Sequence, residues 1–203
     1  RGRSCANQIE LLQQIELFRE SCREQGCYDG PRQFASSHSR FVYFHSEHGH
    51  PDYAAYDDTR FEVVLMAGLP GVGKDSWIAR HLSGWPVVAL DEIRKTLKIS
   101  PEKNQGPVIQ EAKERARVYM RRQQSFVWNA TNVTRALREQ LVDFFVSYGA
   151  RVRIVYLDAS LETILSRNRG RAASVPENVI DKLLDKLEVP HSGEAHIVLW
   201  ESV

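Results

Sequence analysis

The chain has 203 residues and a mass of 23.3 kDa, enough for one domain with a substantial hydrophobic core. Hydrophobic residues make up 42% and charged residues 26%, which excludes a disordered, collagen-like or disulfide-framework chain. With 27 Lys and Arg against 26 Asp and Glu, the formal net charge is +1, so any surface for a polyanion must be local.

The opening residues RGRSCANQIE carry no signal-peptide core, and the apolar runs fall short of the ~20 residues that span a bilayer. A soluble, cytoplasmic protein without a membrane partner is expected. Cys5, Cys22 and Cys27 are an odd set and fit reduced thiols. The chain opens on Arg1 rather than Met, as a piece of a longer chain does.

Composition divides the sequence near residue 60. Residues 1–60 hold all three Cys and four of the seven His and carry a net charge of −2; residues 61–203 carry +3. In the first part, Ile9, Leu12, Ile15, Leu17 and Phe18 recur near helical spacing and predict a helix over 7–25 that stops at Gly26. Residues 27–59, rich in Gly, Pro, Ser, His and Tyr, are expected to be irregular and to pack on the main domain, with Tyr53, Tyr56, Asp57 and Asp58 shaping one edge. His38, His45, His48 and His50 invite a zinc reading, but their spacing to the Cys residues fits no closed Cys₂His₂ pattern.

The second part alternates β-prone apolar runs at 61–67, 86–90, 125–128, 151–157 and 195–200 with helix-like stretches at 74–82, 107–124, 134–147, 161–169 and 176–187. That alternation describes an α/β parallel sheet covered on both faces. The run FEVVLMA leads directly into Gly68-Leu69-Pro70-Gly71-Val72-Gly73-Lys74-Asp75-Ser76 and then a helix, the spacing and context of a P-loop. Gly68, Gly71 and Gly73 let successive backbone N–H groups, that of Val72 among them, converge on phosphate oxygens. Lys74 reaches the β- and γ-phosphates, with Ser76 placed for the α-phosphate. Asp75 stands where Ser or Thr usually serves Mg²⁺; a carboxylate is also a hard oxygen ligand, and it equally suits a helix N-terminus.

The second strand ends in Asp91-Glu92-Ile93-Arg94. At the carboxyl end of a parallel strand, Asp91 can take the proton of an attacking hydroxyl while Arg94 holds an anionic acceptor. The alternative is that Asp91 caps a helix beginning at Glu92. Between Arg94 and Arg122 there are nine basic and three acidic residues, a local excess suited to a polyanion and equally to an ordinary helix with a basic outer face. The third strand ends in Asn129-Ala130-Thr131-Asn132, polar groups that face the crevice or cap the next helix. Farther on, Arg167, Arg169 and Arg171 flank Gly170 in a basic segment suited to closing over a triphosphate.

GLPGVGKDSW, LDEIR, NATN and RNRGRAASVPENVI, in this order, resemble the P-loop kinase domain of polynucleotide 5′-hydroxyl kinases and related AAA-type kinases over about residues 61–200. The resemblance implies a five-stranded parallel sheet of the adenylate kinase type. It implies Asp91 as general base, Arg94 on the acceptor-side phosphate, Arg167 and Arg171 as lid arginines, and Thr131 and Asn132 as the acceptor-side Thr-Asn. Two positions depart from the family: Asp75, and the pair Asn129 and Ala130 where an acidic residue often precedes the Thr-Asn. Such domains occur fused to end-healing phosphatases or ligases.

The expected activity is transfer of the γ-phosphoryl of ATP, or another NTP, with Mg²⁺, to the 5′-hydroxyl end of RNA or DNA. A kinase of a small alcohol and a nucleotide-dependent switch are the rivals. Asp91 favours an enzyme, because the chain lacks the guanine-specificity motif of a GTPase switch.

Overall fold

The computed structural model describes residues 5–100, 103–170 and 174–203. Helices α1 (Cys5–Glu24) and α2 (Ser37–His45) precede strand β1 (Phe61–Ala67). There follow α3 (Lys74–His81), β2 (Val87–Ala89), α4 (Leu90–Thr96), α5 (Gly106–Arg121), β3 (Phe126–Asn129), α6 (Arg135–Val146), β4 (Ala150–Asp158), α7 (Leu161–Arg169), α8 (Glu177–Leu184) and β5 (Ile197–Ser202).

The five strands form one sheet in the order β2-β3-β1-β4-β5, and every pairing is parallel. β1 lies at the centre, with Val63 opposite Phe126 of β3 on one side and Val152 of β4 on the other. Successive side chains of a strand point to opposite faces, and both faces of β1 are covered. Val63, Leu65 and Ala67 meet Ala112, Ala116 and Met120 of α5 and Leu141, Val142 and Phe145 of α6. Val64 and Met66 face Trp77 and Ile78 of α3, Ile164 of α7 and Ile180 of α8. This double burial is why the stretch 63–67 is continuously apolar, whereas Glu62, only partly buried near the strand's start, pairs with Arg153 at 2.7 Å. Parallel pairing puts all five strand ends on one side, where ligands bind in such sheets.

Several boundaries differ from the sequence expectation. α5 stops at Arg121 because Gln123 enters the left-handed region at φ 52°. α8 ends at Leu184; the chain then turns so that the Glu188 N–H donates to Val133 O at 2.9 Å. β5 begins at Ile197, since Glu194 and His196 are held by side-chain contacts described below. α4 begins at Leu90 with Ala89 as N-cap, so Asp91 lies inside the first turn and caps nothing. Thr134, not Thr131 or Asn132, is the N-cap residue of α6.

The segment 27–59 is not wholly irregular, for it contains α2. Ser36 caps this helix, its Oγ accepting from the Ser39 N–H at 2.9 Å. Phe41 joins the core and stacks on His196 and on His45, each at 4.0 Å between ring centroids. Arg40 donates to His196 O at 2.8 Å, and Arg151 pairs with Asp57 at 2.6 Å and donates to Ser37 Oγ. Asp57 therefore shapes the contact as expected, whereas Tyr53 and Tyr56 are exposed. The Asp57 carboxyl is lowered to about 2, first by its hydrogen bond from the Thr59 hydroxyl, with the Thr59 N–H, His38 and Arg151 adding to it. Burial drives His196 down to about 3, with His38 and Arg151 opposing its protonation; its Nδ1 accepts from the Val152 N–H at 3.1 Å. Among the described residues no helix is long and apolar enough to cross a membrane, and no group of three or more His, Cys, Asp or Glu is gathered for a metal ion.

Candidate nucleotide and acceptor site

The loop between β1 and α3 is built on backbone that only glycine enters readily. Gly68, Gly71 and Gly73 have φ of 132°, 85° and 112°. At Gly68 space as well as dihedral excludes a side chain, because a Cβ would lie 2.6 Å from Leu157 O. The loop is tied down from below: the Gly68 N–H donates to Thr131 O at 2.9 Å, and Asn132 Nδ2 donates to Met66 O at 2.7 Å. Lys74 Nζ donates to Gly68 O and Leu69 O, both at 2.9 Å, curling over the loop it serves. Arg167, from α7, donates to Val72 O at 2.9 Å. Two of the expected phosphate-binding cations thus meet on the same loop. Val72 itself is buried, and Ser76 is exposed on the first turn of α3.

Asp75 is exposed on that same turn, and its Oδ1 accepts from Asn129 Nδ2 at 2.7 Å. Asn129 is the last residue of β3, so the strand-end position and the loop helix touch through these two side chains. An oxygen-donor carboxylate beside a phosphate cradle fits Mg²⁺.

On the acceptor side the structure joins Asp91 and Arg94 to each other: Arg94 Nη1 donates to Asp91 Oδ1, one turn apart on α4. The Asp91 side chain is 74% exposed and its carboxylate stands open to a ligand, whereas Arg94 is 23% exposed. Arg94 is also gripped by Gln105, whose Oε1 accepts from Arg94 Nε at 2.9 Å. Gln105 in turn donates to Ser100 O at 2.9 Å and Lys103 O at 2.7 Å, which fixes its amide. No sequence signal singled it out, because it lies in an aperiodic stretch and acts only through tertiary contact.

Two expected acceptor residues are placed differently from one another. Thr131 is partly exposed at the site, its carbonyl committed to Gly68. Asn132 is 1% exposed with φ 44°, its amide spent on Met66 O and its carbonyl accepting from Arg138 Nη1 at 3.1 Å. It supports the loop from within rather than meeting an acceptor. Arg171 lies outside the described residues.

The basic stretch is partly neutralised where it was expected to face a polyanion. Arg115 pairs with Glu111 at 2.8 Å, Arg117 pairs with Glu114, and Lys113 and Arg117 lie over the Phe144 ring of α6. Lys95, Lys98, Lys103, Arg121 and Arg122 remain exposed.

Solved structures share this architecture. A gluconokinase from Sinorhizobium meliloti 1021 aligns with a TM-score of 0.51 at 23% identity, over 71% of this chain and 84% of its own. A sugar kinase from Janibacter sp. HTCC2649 gives 0.51 at 19% identity, over 70% and 85%. A chain of the Pnkp1/Rnl/Hen1 RNA repair complex gives 0.55 at 16% identity over 66% of this chain, which spans 45% of that one. At such identities the likeness is one of fold alone. Residues 63–190, from within β1 to just beyond α8, also match the sequence model of the AAA domain, and the chain is accordingly a member of the AAA domain family.

Proposed function

We propose that this protein is a phosphotransferase that moves the γ-phosphoryl group of ATP to the 5′-hydroxyl end of RNA or DNA. The observation that carries this reading is the coupled Asp91–Arg94 pair, its carboxylate open to solvent at the strand-end side of the sheet that also bears the nucleotide loop. A carboxylate next to a guanidinium is what a hydroxyl flanked by a phosphate requires: one group to accept the proton, the other to hold the anion.

In this mechanism the loop N–H groups, Lys74 and Arg167 bind the triphosphate, Lys74 leaving the Gly68 and Leu69 carbonyls for phosphate oxygens. Asp75 would hold Mg²⁺ together with the nucleotide. When bound, the ion neutralises charge on the β- and γ-phosphates. Arg94, positioned by Gln105, takes the acceptor's phosphate and thereby releases Asp91. The acceptor hydroxyl oxygen then attacks the γ-phosphorus, its proton passes to Asp91, the bond to the β–γ bridging oxygen breaks, and ADP departs.

The test is incubation with γ-labelled ATP and a 5′-hydroxyl oligonucleotide beside a panel of small alcohols. Label on the oligonucleotide supports the reading. Label only on a small alcohol establishes the second reading, favoured by the gluconokinase and sugar kinase of like fold and by the self-paired charges of α5. Label on neither overturns both.

A further inference from the structure

Asp75 and Asn129 come from elements far apart in sequence and meet side chain to side chain at 2.7 Å. P-loop nucleotide enzymes hold their metal between a Ser or Thr hydroxyl after the loop lysine and a carboxylate at the end of a neighbouring strand. In this chain the chemistries are exchanged: the carboxylate sits on the loop helix, and the strand end offers a neutral amide. The total is the same, one negative and one neutral group. We infer that Asp75 and Asn129 form a transposed metal-anchoring unit, in which Asn129 is a positioning residue that orients the Asp75 carboxylate toward a Mg²⁺ bound with the nucleotide. This rests on the phosphotransferase reading above.

The contact fixes the roles. A carboxylate oxygen accepts only, so the Asn129 group against it is the N–H₂; the opposite amide orientation would set two oxygens together with no proton between them. A carboxylate at position 129 has no proton to donate and would set two acceptor oxygens against each other at the same 2.7 Å. Asn is therefore the strand-end residue compatible with Asp75, and Asp the one compatible with a hydroxyl at 75. Each departure from the usual pattern makes sense only with the other. A hydrogen bond from an outer residue that orients a metal ligand is worth about 10–100-fold in metal affinity.

The experiment is calorimetric binding of ADP to the full chain with saturating Mg²⁺ and with EDTA, read as the ratio of the two affinities. Wild type is expected to bind ADP more tightly with Mg²⁺. Asn129→Ala should cut that enhancement about tenfold while leaving the EDTA affinity nearly unchanged. Asn129→Asp should cut it further, and the exchange D75S/N129D should recover it beyond either single variant, with melting curves confirming that all are folded. A folded Asn129→Ala with the wild-type ratio overturns the inference, as does a folded exchange variant no better than Asn129→Asp. Those results leave the phosphotransferase reading intact. A wild-type chain that binds no ADP overturns that reading and this inference with it.

Discussion

Lys74 Nζ donates to two carbonyls of the loop it serves, so its loss should fall on function more than on folding. Lys74→Met is expected to lower turnover by about 10²–10³-fold with an unchanged melting curve, measured by label transfer and calorimetry on one preparation. Asp91 and Arg94 should fail in different ways. Asp91→Asn keeps the shape and removes the base, so kcat falls while acceptor KM stays near its wild-type value. Arg94→Ala removes one phosphate contact, so acceptor KM rises and its log–log dependence on salt becomes shallower by about 0.7, read from KM at several ionic strengths. An Arg94→Ala enzyme with the wild-type salt slope would place the acceptor phosphate elsewhere. These residues were legible because they lie at strand ends, where side-chain type alone assigns a task. Asn132 was not: a buried Asn that satisfies a backbone carbonyl has the same letter as one that meets a substrate, and only its φ of 44° and its bond to Met66 O tell them apart. Asn129 was noted at a strand end, but its partner Asp75 is 54 positions away and no local pattern links the two.

At the scale of elements, α2 and its docking site carry two titrating groups with separate windows. His196 falls from 6.5 unfolded to about 3 folded, so the unfolded chain binds the proton first and stability is lost as pH falls below about 6.5 toward 3. Asp57 falls from 3.8 to about 2, so its contribution is present above about 3.8 and disappears between there and 2. Melting temperature should therefore decline between pH 7 and 5 in wild type, before any effect of Asp57. His196→Asn, which keeps an acceptor for the Val152 N–H, should flatten that decline; an equal decline in the variant would locate the acid sensitivity elsewhere. The helix itself escaped the sequence reading because its inward face is His38, Ser39 and Phe41, so hydrophobic periodicity was hidden under polar letters. Its cap, Ser36, was the one local sign.

For the whole molecule, the loop's foundation runs through a buried ion pair. Arg138 on α6, 0% exposed, meets both Glu194 oxygens at 2.7 and 3.0 Å and also donates to Asn132 O and Val133 O, each at 3.1 Å. Glu194→Ala strands a guanidinium in the interior and is expected to cost about 3–5 kcal/mol in denaturant unfolding. Replacing both partners, Arg138→Met with Glu194→Leu, should cost less than that single change; a larger loss would mean that the two carbonyl contacts outweigh the charge pair. Strand and helix types were readable because the stretch of a parallel strand buried on both faces must be apolar, as Val63, Val64, Leu65, Met66 and Ala67 are. Which strands become neighbours was not readable from that pattern, since every buried strand looks alike along the chain. The observed order has a temporal consequence. β1 emerges from the ribosome before both of its neighbours, whose pairing begins only with Phe126 and Ala150. At ~5–20 residues per second, several seconds of translation separate β1 from the closure of its second edge, and throughout them an apolar strand is open to chaperones and to aggregation. A message broken or stopped before the codon for Ala150 would yield a product that contains every letter of the nucleotide loop but leaves one edge of the strand that carries it unpaired.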